Sequence, residues 1–336
     1  MRSRKRLGVI LRVVATLLML VILVPRLLHS RLDVDWNARA IWWLLGAMAV
    51  TFVGIVLSAL RWQRVLAALE VPARIRLLLT TYLASLFVSN FLPTTIGGDV
   101  LRVSRLSADN GESPRTFASV VLERMTGWLV LPVITLLALA LNPNLLHLAR
   151  ATRVALIVSI GTLLLLGLAL WAAAHPRLGG RVASRTGWRR FTGAIHFGLD
   201  RFRRHPAAAA EVLFAGFAYQ FAVVMAAFLA ARALRLPVGW TAIMAFFPAV
   251  AIIQVLPFPT IGGLGIREGA LVLFLEPLGV SQAQAIALGL MVYGVNLAVS
   301  LLGAPAFAVH RRRPAAVPDT GAGAAPTATI ASSAGA

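Results

Sequence analysis

Thr95-Ile96-Gly97-Gly98-Asp99-Val100-Leu101-Arg102 is echoed 165 residues later by Thr260-Ile261-Gly262-Gly263-Leu264-Gly265-Ile266-Arg267. Thr-Ile-Gly-Gly and the arginine four positions on are common to both. Each copy interrupts an apolar run and has proline just upstream, Pro93 in the first and Pro257 and Pro259 in the second. Proline removes a backbone donor and glycine tolerates positive φ, so the pairing breaks a helix. A helix broken within a bilayer leaves backbone N–H and C=O groups unpaired, which is tolerated only where the break is buried in protein or lines a wet cavity. Two such breaks in matching positions of two halves are the sequence mark of a transporter binding site.

Composition sets the solvent. The chain has 336 residues, 59% of them hydrophobic and 13% charged, with a mean hydropathy of +0.83. The apolar runs are continuous and of helical length, unlike the short alternating segments of an outer-membrane barrel. The reading is an all-α polytopic membrane protein. The formal charge of +20 is almost entirely arginine, with Lys5 the only lysine. The arginines lie between apolar runs, which is the positive-inside pattern and not a nucleic-acid surface. The chain has no cysteine, and its histidines lack metal-ligand spacing, so a thiolate or metal site is not expected. No Gly-x-x-x-x-Gly-Lys loop and no Gly-x-Ser-x-Gly elbow occurs, so no cofactor and no catalytic constellation is expected.

Full spans are expected at 8–28, 41–60, 116–141, 151–174, 207–231 and 281–309. The first resembles a signal peptide but lacks a small-x-small cleavage site, and reads as an uncleaved span. Runs 77–92 and 240–256 end at the two breaks and are near the minimum length for crossing. If both are re-entrant, the basic clusters at Arg2–Arg6, Arg61–Arg76, Arg102–Arg115, Arg177–Arg204 and Arg311–Arg313 all fall on one side, the cytoplasmic one, with both termini. The 165-residue offset carries 41–60 onto 206–225 and 116–141 onto 281–306. Span, broken hairpin, span therefore occurs twice, at about 41–141 and 206–309, with helix 151–174 joining and inverting the copies. Trp42, Trp43, Trp62, Trp171 and Trp240 fall at span ends, as interfacial tryptophans do. Residues 311–336 are too poor in apolar side chains to bury a core and read as a disordered tail.

The candidate binding residues gather around the breaks. A helix restarting after each Gly-Gly presents unpaired N–H groups and a positive dipole end, which suit an anion. Thr95, Gly97, Gly98 and Arg102 form one such cup, and Thr260, Gly262, Gly263, Gly265 and Arg267 the other, the arginines able to grip phosphate or carboxylate bidentately. Pairing of these arginines with nearby acids, which would lock the hairpins, is the plainer alternative. Glu123 and Arg124 stand about 12 Å inside span 116–141 by helical rise, a depth at which ionisable groups are functional candidates. Adjacent residues point about 100° apart, so the two should serve different partners, Glu123 facing a hairpin arginine. Asp99 is placed to cap its helix, and Glu268 is the corresponding acid of the second copy. Asn90, Gln220, Gln254 and Asn296 are polar groups within apolar runs, placed either to join helices or to touch substrate. Glu211 is read as reaching to the interface.

Asn90-Phe91-Leu92-Pro93, Gly97-Gly98-Asp99 with Arg102, Leu122-Glu123-Arg124, and Pro259 followed by Gly262-Gly263-Leu264-Gly265-Ile266-Arg267-Glu268 together resemble the lysylphosphatidylglycerol synthase transmembrane, or flippase-like, family over about residues 8–310. The resemblance implies a lipid-flipping membrane region without the soluble aminoacyl-transferase domain found fused to it in some members. The expected function is binding and translocation of an anionic or zwitterionic lipid headgroup in the bacterial inner membrane. Membrane phospholipids or another lipid-linked substrate are the expected partners. The rivals are an intramembrane lipid-modifying transferase and an accessory subunit of a membrane glycosyltransferase or synthase, for which the basic loop 177–204 would be the docking surface.

Overall fold

Helices follow from solvent and length together, because a chain without water partners must satisfy its backbone internally and apolar runs this long do so as helices. The computed structural model describes residues 37–91, 97–174, 188–255 and 265–309. The expected first span 8–28, the tail 311–336 and both Pro-containing breaks lie outside them, and with the breaks Thr95, Thr260, Gly262 and Gly263. Among the described residues all regular structure is helical.

In chain order the helices are α1 (Ala38–Ala68), α2 (Ile75–Phe91), α3 (Gly97–Asn110), α4 (Ser113–Leu141), α5 (Ala149–Ala174), α6 (Trp188–Arg204), α7 (Pro206–Ala233), α8 (Trp240–Val255), α9 (Ile266–Leu275), α10 (Gln282–Ser300) and α11 (Gly303–Val309). Five of them, α1, α4, α5, α7 and α10, are long and apolar enough to cross a membrane. The shorter apolar helices α2 and α8 have 17 and 16 residues, about 25 Å of rise against a hydrocarbon core of about 30 Å.

The bounds differ from the sequence reading in four places. α1 continues to Ala68, so Arg61 and Trp62 lie inside a helix and not in a basic loop. Gly97 and Gly98 form the first turn of α3 instead of preceding it. The basic stretch 177–204 contains α6, whose Leu199 and Phe202 face α4, α5 and α7 across an apolar cleft. The last span stops at Ser300 and restarts at Gly303, with Pro305 in the first turn of α11, where proline is tolerated.

Packing is reciprocal. The 165-residue offset sets α1 against α7, α2 against α8, α3 against α9 and α4 against α10. α1 and α7 form the largest helix contact, α8 packs on α4 as α2 packs on α11 and α10, and α4 meets α7 as α10 meets α1. Gly46 adjoins Leu229, Gly54 adjoins Ala222 and Gly216 adjoins Arg61, so α1 and α7 run antiparallel. These small residues bring the backbones close, as in membrane helix interfaces generally. One apolar core gathers Val130–Leu139 of α4 around α8 and α9; the other gathers Ala118–Leu122 of α4 around α1, α2 and Leu106 of α3. The two hairpins therefore pack toward opposite ends of α4.

Candidate functional site

The hairpin α2–α3 closes because nothing projects at Gly98. A Cβ there would sit 2.7 Å from the Ser85 carbonyl oxygen, closer than van der Waals contact permits. α3 then carries Arg102, its sixth residue, inward to 4% exposure. Its Nη2 donates to Glu123 Oε2 of α4. Its guanidinium lies 4.1 Å from the Trp62 ring centre and 4.6 Å from that of Tyr82, within cation–π range. Trp62 is wholly buried, its indole N–H donating to Ser119 Oγ at 2.9 Å. It is a platform for Arg102 and not the interfacial residue that its place near a span end suggested.

Glu123, 1% exposed, is held by two cations. Arg61 Nη2 donates to its Oε1 at 3.0 Å, and Ser58 Oγ lies 3.0 Å from the same oxygen and 2.7 Å from Tyr82 Oη. The expected partnership with a hairpin arginine is present. Arg61 is the residue the sequence reading missed. Its position after Leu60 and before Trp62 looked like the start of a cytoplasmic loop, and only continuation of the helix to Ala68 takes it inside. A basic residue followed by tryptophan and another apolar run, Val65-Leu66, was the available signal. Arg124, one residue on, points elsewhere as expected and pairs with Asp99, whose Oδ1 is also 3.7 Å from Arg102 Nη1. Asp99 is thus an ion-pair partner in the first turn of α3.

The second half builds its site differently. Gly265 caps α9 with φ +87°, a conformation natural only to glycine. Its N–H donates to Glu268 Oε2, and Glu268 Oε1 accepts from Arg267 Nε at 3.1 Å and Nη2 at 2.6 Å. Both side chains are buried. α10 passes close enough that a Cβ at Gly289 would lie 2.8 Å from Glu268 Oε1. Arg267 is 5.5 Å from the Tyr293 ring centre. The two hairpin arginines are therefore both paired with acids, as the plainer alternative held, and neither is a bare cationic cup.

What joins them is space. A cavity of about 220 Å³ is lined by Asn90, Gln254, Arg267, Tyr293 and Asn296 together with apolar groups of α2, α7, α8 and α10. Asn90 Nδ2 donates to Ser300 Oγ at 2.8 Å and Asn296 Nδ2 to the Val292 carbonyl at 2.9 Å. A narrower cavity of about 50 Å³ shares Leu86, Val223, Val292 and Asn296 with the first and ends on Tyr82 and Tyr219. Behind those rings stand Arg102 and Arg61, the latter 5.1 Å from the Tyr219 ring centre. The two cavities therefore adjoin between Arg267 and the tyrosines that cover the Arg61–Glu123–Arg102 cluster, with a few polar groups in a mainly apolar lining contributed by helices of both halves. Gln220 is buried beside the cluster, its amide 3.4 Å from the Gly127 carbonyl. Glu211 pairs with Arg64 at 3.1 Å in an exposed position. Among the described residues no group of three or more histidines and acids is placed to hold a metal.

A family model described as the lysylphosphatidylglycerol synthase TM region matches residues 9–303. No curated protein and no solved structure gives a match to the chain. The matched segment covers the described helices up to the start of α11, together with every residue of the two arginine clusters, and the five long apolar helices make the protein a multi-pass membrane protein. The chain belongs to the lysylphosphatidylglycerol synthase transmembrane-region family.

Proposed function

We propose that the protein translocates a lipid headgroup across the bacterial inner membrane through the chamber between its two halves, the acyl tails staying in the bilayer. The observation that carries this reading is the pair of adjoining cavities between the Arg267 cluster and the tyrosines over the Arg102 cluster, bounded by both halves. Hairpins packed toward opposite ends of α4 and an antiparallel α1–α7 pair support an inverted repeat whose broken helices enter from opposite leaflets. A headgroup phosphate would draw Arg102 or Arg267 from its acid, and the acid would recover its partner as the group moves on. Arg61 keeps Glu123 neutralised while Arg102 is engaged, so no bare carboxylate is left in a dry site. No chemical step is needed, and the role is transport and not catalysis. Six crossings with cytoplasmic termini put the basic loops on the cytoplasmic side, with Arg61 and Arg102 of those clusters turned into the bundle.

The test is headgroup translocation of a fluorescent phospholipid in proteoliposomes, read by reduction of the outer-leaflet dye. Wild-type protein is expected to expose lipid that began in the inner leaflet, and the Arg102→Gln/Arg267→Gln protein is expected to do so at least about tenfold more slowly. Equal rates would remove the arginines from the path. Topology can be read directly: the chain has no cysteine, so one introduced at Ala149 or Pro206 reports its own side of the membrane.

A further inference from the structure

We propose that Arg61 and Arg102 together form a buried subsite for a phosphate group, making the transported headgroup one that carries net negative charge. The inference rests on the transport reading above and names the class of substrate at the same chamber. Its origin is a charge that does not balance. Arg61, Arg102 and Glu123 are each at least 95% buried, two cations with one anion. The adjacent pair Asp99–Arg124 is neutral and does not correct the excess. Arginine does not shed its proton in proteins, so the excess is a full positive charge beside apolar helices. In the second half Arg267 and Glu268 cancel. The surplus belongs to the first half alone.

The donors tell the same story. Arg61 uses Nη2 on Glu123, while its Nε and Nη1 have no hydrogen-bond partner among the described residues, and neither has Nε of Arg102. Buried donors are ordinarily satisfied. Nη1 of Arg61 is aimed between α4 and α7, where Gly127 and Gly216 present no side chain; a Cβ at either would lie 3.4 Å or 3.6 Å from it. Tyr219 and Tyr82 stack on the two guanidinium groups and form the end wall of the narrower cavity. Rotation of those rings would open the arginines to a group already in the chamber. A phosphate monoanion supplies one negative charge and several acceptor oxygens, matching both the surplus and the unused N–H groups.

The experiment uses the full-length protein in maltoside micelles and follows thermal unfolding against n-dodecyl phosphate, dodecylphosphocholine and inorganic phosphate. Dodecyl phosphate is expected to stabilise the protein, with dodecylphosphocholine bound about tenfold more weakly because its ammonium meets the surplus charge. Arg61→Gln should weaken dodecyl phosphate binding by about tenfold or more. Glu123→Gln raises the excess to two charges and should tighten it, a direction that impaired folding cannot produce. The surface variant Arg64→Gln should bind as wild type. Stabilisation by inorganic phosphate alone, to the same degree, assigns the subsite to a free anion; dependence on the dodecyl chain assigns it to a lipid. Unchanged affinity in Arg61→Gln, weaker binding in Glu123→Gln, or equal affinity for dodecylphosphocholine overturns the proposal. Intact dodecyl phosphate binding without translocation would sink the transport reading and leave the subsite. Translocation of a zwitterionic lipid without dodecyl phosphate binding would do the reverse.

Discussion

Arg102 and Arg267 stand at the same register of two halves related by a 165-residue offset, yet they are neutralised in different ways. Arg102 finds its acid on another helix, at Glu123 of α4, and shares it with Arg61. Arg267 finds its acid in the next residue, Glu268. The offset places Val103 opposite Glu268, and Leu288 and Gly289 opposite Glu123 and Arg124. The second half has no acid at that place on its spanning helix, and Gly289 there leaves room for Glu268 of the hairpin. A counter-ion on a separate helix ties the hairpin to the bundle, and its release lets the hairpin move relative to α4. A counter-ion within one turn of the same helix stiffens that helix and ties it to nothing. The first hairpin is the one that an ion pair joins to a spanning helix.

Breaking the shared acid should have the largest effect. Glu123→Ala leaves buried Arg61 without an anion and Arg102 with only the more distant Asp99, and is expected to lower stability by about 3–5 kcal/mol, measured by chemical or thermal unfolding in micelles. A loss below about 1 kcal/mol would mean that water reaches the cluster. Glu268→Gln keeps an acceptor for the Gly265 N–H and strands only one cation, so about 1–3 kcal/mol is expected; a larger loss than that of Glu123→Ala would reverse the ranking of the two sites. Gly98→Ala sets a Cβ against backbone, whereas Gly289→Ala sets one against the end of a flexible carboxylate. The first should cost about 1–3 kcal/mol and the second less; if the second proves the more damaging, Glu268 has no freedom to yield. The pair Asp99–Arg124, whose arginine is exposed, is the mildest case. Replacing both by Asn and Gln should change stability by about 0–1 kcal/mol, with a marked dependence of the wild-type value on salt. A salt-independent effect above 2 kcal/mol would place this pair in the dry interior with Glu123.

The difference between the halves also marks what could be read early. The helical class, the short runs before the breaks and the repeat offset were visible in hydropathy and in Pro and Gly placement, because those features are local. Glu123 and Arg267 were visible because a charge in an apolar run is conspicuous. Arg61 was not, since helix α1 outlasts its apolar stretch by two turns and the charge count there matched a loop. Trp62 was misplaced for the same reason. α6 was hidden within a basic stretch whose helical face shows only against α4 and α7.

The length and continuity of the apolar runs alone determined that this is a helical membrane protein, because a bilayer admits only helices and closed barrels and runs of this length fit helices. Which charges meet, that Glu123 is shared by Arg61 and Arg102 while Arg267 turns to its neighbour, and that adjoining cavities lie between the two clusters were decided only when the helices packed. The contacts between helices join residues 21 to 210 positions apart, and no local rule of spacing fixes which side chains a crossing of helices brings within hydrogen-bond reach.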